Sequence, residues 1–278
     1  VLPLSILPNG APADLGADVT DVLGIKKYDP EAQQEAQLLT KQPQKPQSAI
    51  ARFLMRFKWY RKLFMKPKRK GGFPDWIVKT DETRIQNLTT LFEMERNKGT
   101  KFSVTEKVDG QSATYYLRKV SKRKYEFGVC SRNIYLGTPD NSSYWTIAKK
   151  YNIENVLRQL IGDYETIVLQ GEICGNQIQG NKYHISGYDL FAFNLIYPDH
   201  KCGTAEIKKL LEPYGIKTVP IVEEDKTLPE TIAELVEYSK GKSVVRKEQK
   251  REGVVMRNVQ SNISFKVINP DFLLAEKD

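Results

Sequence analysis

Phe102-Ser103-Val104-Thr105-Glu106-Lys107-Val108-Asp109-Gly110-Gln111-Ser112-Ala113-Thr114-Tyr115-Tyr116-Leu117 is the stretch that decides the fold. Apolar and polar residues alternate from Phe102 to Glu106, the period of a half-buried strand. Ser112 to Leu117 reads as a second strand. Asp109-Gly110 between them favours a tight, hairpin-like turn. Lys107 then stands at a strand edge, its amine projecting into the cleft that the sheet lines.

Further strands are expected at Tyr125–Cys130, Ile167–Ile173, Tyr188–Ile196, Val254–Met256 and Ile263–Ile268. Helices are expected over Asp81–Asn97, with Thr80 as N-cap, and over Tyr144–Gly162, Thr204–Tyr214 and Leu228–Gly241. Strands and helices mix without regular alternation, so the fold class is α+β and not doubly wound.

Upstream the character differs. Lys45 to Lys70 carries no acidic residue and interleaves basic with aromatic side chains. Ile50, Phe53, Leu54, Phe57, Tyr60 and Phe64 fall near helical spacing, which predicts an amphipathic basic helix ending before Pro67. Its charged face suits either solvent or phosphate. The Gln- and Pro-rich stretch 33–47 reads as a linker. The expected division is an N-terminal appendage, 1–75, and a main domain, 76–278.

The chain has 278 residues, 40% of them hydrophobic, and a formal net charge of +9. That balance suits a polyanionic partner. Cys130, Cys174 and Cys202 lie far apart, which argues against a disulfide framework and offers no Cys-x-x-Cys spacing. Two histidines are too few for a histidine-based metal site. No apolar run reaches membrane-spanning length and no leader pattern precedes the body, so a soluble intracellular protein is expected. The first residue is Val1 and not Met, as in a fragment or trimmed product.

Lys-x-Asp-Gly alone is a weak motif, and a surface turn carrying a lysine is its commoner reading. A lysine attacks a phosphoryl centre only when neutral, so its pKa is expected to fall through burial or nearby positive charge. Other pieces follow in order. Ser131-Arg132-Asn133 offers a planar fork for phosphate or ribose. Gly171-Glu172-Ile173 and Glu252-Gly253-Val254 put carboxylates beside apolar strands, and paired acids of this kind hold a divalent metal. Phe191-Ala192-Phe193 offers an aromatic face, and Ser264-Phe265-Lys266 a second lysine. Gly171, Gly175 and Gly180 lack the Gly-Lys-Ser/Thr ending of a phosphate loop.

Over residues 101–274 these segments resemble the covalent nucleotidyltransferases, the polynucleotide ligases and RNA capping enzymes. Gly171-Glu172-Ile173-Cys174-Gly175-Asn176-Gln177-Ile178-Gln179-Gly180-Asn181-Lys182-Tyr183 is most similar to the ATP-dependent RNA ligases. Val1–Leu7, Val19–Tyr28 and Lys79–Asn87 also look like the members of that group with an OB module before the catalytic domain. By that resemblance the chain begins where most of the module has already passed. The implied fold is a nucleotidyltransferase (ligase adenylation) domain of mixed, largely antiparallel sheets flanked by helices, preceded by a partial OB-like remnant.

The resemblance implies that Lys107 attacks the ATP α-phosphorus, carries AMP, and passes it to an RNA 5′-phosphate. A 3′-hydroxyl then closes the phosphodiester, for instance in a nicked duplex. Glu106 would recognise adenine, with Phe193 on one face of the base and Val254 on the other. Asp109 belongs to the nucleotide site, Arg132 to ribose or phosphate, and Arg84 is a further phosphate contact. Glu172 and Glu252 would hold Mg²⁺ or Mn²⁺, and Lys266 the α-phosphate. Ile268 stands where many ligases carry another lysine, which concentrates that task on Lys266. The expected enzyme is a monomer that works away from membranes.

Plainer readings stay open. Phe193 also fits simple core, Glu172 and Glu252 also fit ion pairs with Arg257, and Asp109 also fits turn geometry. The other functions in play are a DNA ligase, a GTP-dependent capping-type enzyme, and an RNA-binding protein whose catalytic site has decayed.

Overall fold

The computed structural model describes residues 71–275 apart from Arg123. The expected basic helix, linker and OB-like remnant lie outside them. The fold is α+β, with mixed, largely antiparallel sheets flanked by helices.

The larger sheet contains β1 (Gly71–Gly72), β3 (Gln111–Ser121), β4 (Lys124–Cys130), β5 (Ile134–Tyr135), β6 (Thr166–Gly175), β7 (Tyr188–Ile196) and β8 (Lys217–Thr218). Their order is β1-β5-β4-β3-β6-β7-β8, and only the β7–β8 pair is parallel. Alternation on β3 sends Ala113, Tyr115 and Leu117 into the main core, where Ile167, Leu169 and Ile173 of β6 join them. Three helices cover this face: α2 (Ser143–Lys150), α3 (Ile153–Leu160) and α4 (Thr204–Leu211). Each fully buried side chain of this kind contributes about 1.5–3 kcal/mol.

The smaller sheet runs β11-β10-β2-β9, from β2 (Phe102–Glu106), β9 (Ile221–Lys226), β10 (Gly253–Asn258) and β11 (Ile263–Ile268). Phe102, Val104, Val254, Met256, Phe265 and Val267 make a second core with α1 (Thr89–Asn97) and α5 (Ile232–Ser239). A last helix, α6 (Pro270–Ala275), follows β11.

The expected helix over Asp81–Asn97 begins only at Thr89. Thr80 is no cap, since its hydroxyl meets that of Ser112 at 2.5 Å. Thr83 O accepts from Lys266 N at 2.9 Å and Arg84 bridges Lys266, so this stretch lies extended along β11. Pairing with a strand has overridden helix propensity here. The expected helix over Tyr144–Gly162 is split at Asn152, which sits in the left-handed region (φ 47°, ψ 48°). At α5 the chain supplies its own start signal. Thr231 Oγ1 accepts from Glu234 N, and Glu234 Oε2 from Thr231 N.

The expected hairpin at Asp109-Gly110 is also corrected. β2 and β3 belong to different sheets, and the turn carries the chain from one to the other. Gly110 permits the crossing, because a Cβ there would lie 2.4 Å from Ile173 O. β9 escaped the sequence reading because Glu223-Glu224-Asp225 masks its alternation.

A buried carboxylate ties the elements of the larger sheet together. Asp189 on β7 accepts from Lys217 Nζ (2.6 Å) on β8, from Lys150 Nζ (3.1 Å) on α2, and from the Tyr151 hydroxyl. Burial alone would raise its pKa, but the bonds from Lys217, Tyr151 and Lys150 outweigh that and hold it below the ordinary value. The stability this gives is present above the unfolded pKa, about 3.9, and is lost as pH falls through the lower folded one. Asp189→Asn should therefore lower the unfolding free energy by about 2–4 kcal/mol at neutral pH. In urea titrations the gap to wild type should close in acid; a gap independent of pH would contradict this account. Gly110→Ala should cost about 1–3 kcal/mol through the forced displacement of β6, readable as a lower urea midpoint, and an unchanged midpoint would show that the crossing is loose.

Candidate active site

Lys107 leaves β2 with its amide donating to Gly253 O at 3.0 Å, so the residue before Gly253 is its neighbour. Its Nζ lies 2.7 Å from both carboxylate oxygens of Glu252. β10 reaches this position through a close approach to β11, since a Cβ on Gly253 would stand 2.2 Å from Val267 O. Glu172 comes from β6, opposite Ser112, and its Cγ flanks Gly110 at 2.9 Å from the place a Cβ would take.

Burial pulls the Lys107 pKa down, but the charges of Glu252 and Glu172, the bond to Glu252 and the charge of Asp109 outweigh it. The ammonium is held above its ordinary value. The sequence-based expectation of a lowered pKa is thus corrected: three acids surround this amine and stabilise its proton. Asp109 is itself raised, first by burial and then by Glu252, against the pull of Lys182. Its carboxylate takes a 2.6 Å bond from Lys182 Nζ, and its amide donates to Tyr183 Oη at 2.8 Å. Lys182 also lies 4.3 Å from the ring centroid of Phe272 on α6.

Positive groups also gather near Lys107. Lys266 on β11 has its pKa lowered by burial and by Lys107, with Arg84 adding to the effect and Asp81 and Glu252 opposing it. The extended stretch before α1 is what brings Arg84 beside Lys266. Arg132 follows β4 and grips Asp81 through Nη2 at 2.7 and 2.9 Å and Nε at 3.2 Å. Asp81 was not anticipated as a partner, because it lies 51 positions away in the chain.

Glu106 is buried. Its Oε2 accepts from Val244 N at 2.7 Å, while Oε1 has no hydrogen-bond partner among the described residues. Burial raises its pKa by more than the Ser243 hydroxyl and the Val244 and Val245 amides lower it. Phe193 is half-buried in a small cluster with Val108, Phe191, Val219 and Val245, and Arg257 lies over its ring at 5.6 Å.

Val254 does not line this cleft. It is 0% exposed within the second core, opposite Val267. Val255 pairs with Lys266 and Thr105, and strand alternation puts it on the cleft side of β10. The register of β10 against β11 decides between the two valines. Arg257 takes neither acid of the site; it pairs with Glu82 at 3.3 Å and donates to Thr105 Oγ1 at 3.2 Å. Lys107, Glu172, Glu252, Lys266 and Arg84 thus share one site, with Arg132 joined to it through Asp81.

Residues 100–268 match the RNA ligase family. The search of curated proteins finds no match. Among solved structures, a variant of Naegleria gruberi RNA ligase with ATP and Mn is 31% identical, with a TM-score of 0.71. The Naegleria gruberi ligase with pyrophosphate is 32% identical at 0.71, and another variant with AMP and Mn is 31% identical at 0.71. Each comparison covers 100% of this chain and 72% of the other. On the family match and on these likenesses together, the chain belongs to the RNA ligase family.

Proposed function

We infer that this chain is an ATP-dependent RNA ligase in which Lys107 takes up AMP. The observation that carries the reading is the setting of Lys107 Nζ, 2.7 Å from Glu252 and near enough to Lys266 for the two amines to repel each other. The solved relatives with ATP, AMP or pyrophosphate support the choice of nucleotide. They weigh against GTP and against a decayed site.

In the first step the Lys107 ammonium loses a proton to solvent, and the lone pair so exposed attacks the α-phosphorus. A P–N bond forms, the bond to the β-phosphate oxygen breaks, pyrophosphate leaves and the amine gives up a second proton. Lys266 and Arg84 offset the charge growing on the phosphoryl oxygens. Arg132, its fork fixed by Asp81, meets ribose or phosphate. Glu106 Oε1 accepts from the exocyclic amine of adenine, Phe193 stacks on the ring, and Val255 takes the facing side in place of Val254. Asp109, held by Lys182, keeps the turn after the nucleophile in place.

Glu172 and Glu252 are hard oxygen donors that converge on one ammonium, a set that suits Mg²⁺ or Mn²⁺. A metal bound there supplies positive charge that competes with the Lys107 proton and screens phosphate. In the second step an RNA 5′-phosphate oxygen attacks the AMP phosphorus and the P–N bond breaks. In the third a 3′-hydroxyl attacks the RNA 5′-phosphorus, releasing AMP as the phosphodiester forms.

The test is transfer of label from α-labelled ATP to the protein, read on a denaturing gel, followed by sealing of a nicked duplex with a 3′-ribonucleotide end. Wild type should label; Lys107→Ala should not, and Lys266→Ala should lose about 10²–10³-fold or more. Labelling of Lys107→Ala would end the assignment. A second pair separates the two valines. Val254→Ala should lower stability by about 2 kcal/mol with KM for ATP unchanged. Val255→Ala should raise that KM about tenfold; the reverse pattern would restore Val254 to the pocket.

A further inference from the structure

After β7 the chain turns back on itself. Tyr197 N donates to His200 O at 2.8 Å, Cys202 N to Leu195 O at 2.9 Å, and Ile196 bridges Lys201. His200 and Cys202 flank the bridging Lys201 on this returning segment. Glu206, in the first turn of α4, folds back toward them, with Oε2 3.3 Å from Gly203 N. The ligand atoms of His200, Cys202 and Glu206 all lie within 4.8 Å of one another.

We propose that His200, Cys202 and Glu206 form a divalent metal site of the zinc class, separate from the carboxylates around Lys107. One nitrogen, one sulfur and one oxygen make a borderline-soft set that favours Zn²⁺ over Mg²⁺. Around a tetrahedral ion such donors stand about 3.4–3.8 Å apart. Rotation of the exposed His200 and Glu206 side chains covers the difference. Two ligands face solvent, which gives water the fourth position.

The imidazole has aromatic and carboxylate neighbours. It stacks on Tyr197, with centroids 4.8 Å apart and planes at 15°, and Tyr164 lies 5.9 Å away. Asp199 Oδ1 is 2.6 Å from Nδ1. If Nε2 binds, Asp199 is the outer carboxylate that orients a metal-bound histidine. If Nδ1 binds, Asp199 stands close enough to supply an oxygen ligand. Cys202 is a free, buried cysteine beside Glu206. Binding breaks the S–H bond, forms an S–metal bond and releases one proton to solvent, with no change of oxidation state.

The segment is well placed for an ion that ties elements of the fold together. It joins β7, which carries Phe193, to α4, whose Thr204 Oγ1 takes a 3.1 Å bond from Ser103 Oγ on β2. A metal here pins the link between the two sheets.

The experiment titrates the metal-free chain, under reducing conditions, with Co²⁺ as the probe. A thiolate-to-cobalt charge-transfer band should grow to one equivalent and be bleached by Zn²⁺. It should vanish in Cys202→Ser, while His200→Ala and Glu206→Gln should weaken binding at least tenfold, to judge by the usual cost of a lost ligand. Labelling of Lys107 from α-labelled ATP should persist in every variant, which keeps this result independent of the active-site reading. A folded wild type without the band, or an equal band in Cys202→Ser, overturns the site. Should the buried Cys202→Ser fail to fold, unchanged Co²⁺ affinity in both exposed-residue variants overturns it as well.

Discussion

The pairing of β2 with β10 sets everything else in place. One backbone bond, Lys107 N to Gly253 O, fixes the register in which a lysine at the end of one strand meets a glutamate at the start of the next. From that register follow the ion pair, the tight passage of β10 along β11, and the position of Lys266 on the neighbouring strand. The crossing at Gly110 then adds Glu172 from the other sheet. The site is a seam, built where the ends of strands from two sheets meet.

Its electrostatics set acids against cations. Glu252, Glu172 and Asp109 hold the Lys107 proton, whereas Lys266 is repelled by Lys107 and Arg84 and relieved by Asp81 and Glu252. Such an arrangement stabilises the resting ammonium and at the same time leaves cations ready for phosphate. Burial opposes charge on both lysines. The balance between acids and cations, and not any single shift, is the property that matters for phosphoryl chemistry.

Strands with clean periodicity were legible in the sequence: Tyr188–Ile196 and Ile263–Ile268 stand as read. What failed depended on partners distant in the chain. Nothing near Asp81 announces that residues 81–84 will lie along β11, and nothing in Asp109-Gly110 tells a hairpin from a crossing between sheets. The lysines and acids brought together here were individually visible by residue type and strand position. Asp81 as the partner of Arg132 was not, because an ion pair leaves no local pattern. Val254 and Val255 were both visible, and only the cross-strand pairing with Val267 and Lys266 separates core from cleft.

Lys182 gives the molecule a long-range link. One ammonium serves the Asp109 carboxylate and the Phe272 ring together, so the final helix and the turn after the nucleophile hold the same cation between them. A shift of α6 draws that charge away from Asp109 and leaves a buried acid beside Glu252 with less compensation. The turn would then either take up a proton or move. Through this one side chain, the packing of α6 bears on the Asp109 carboxylate.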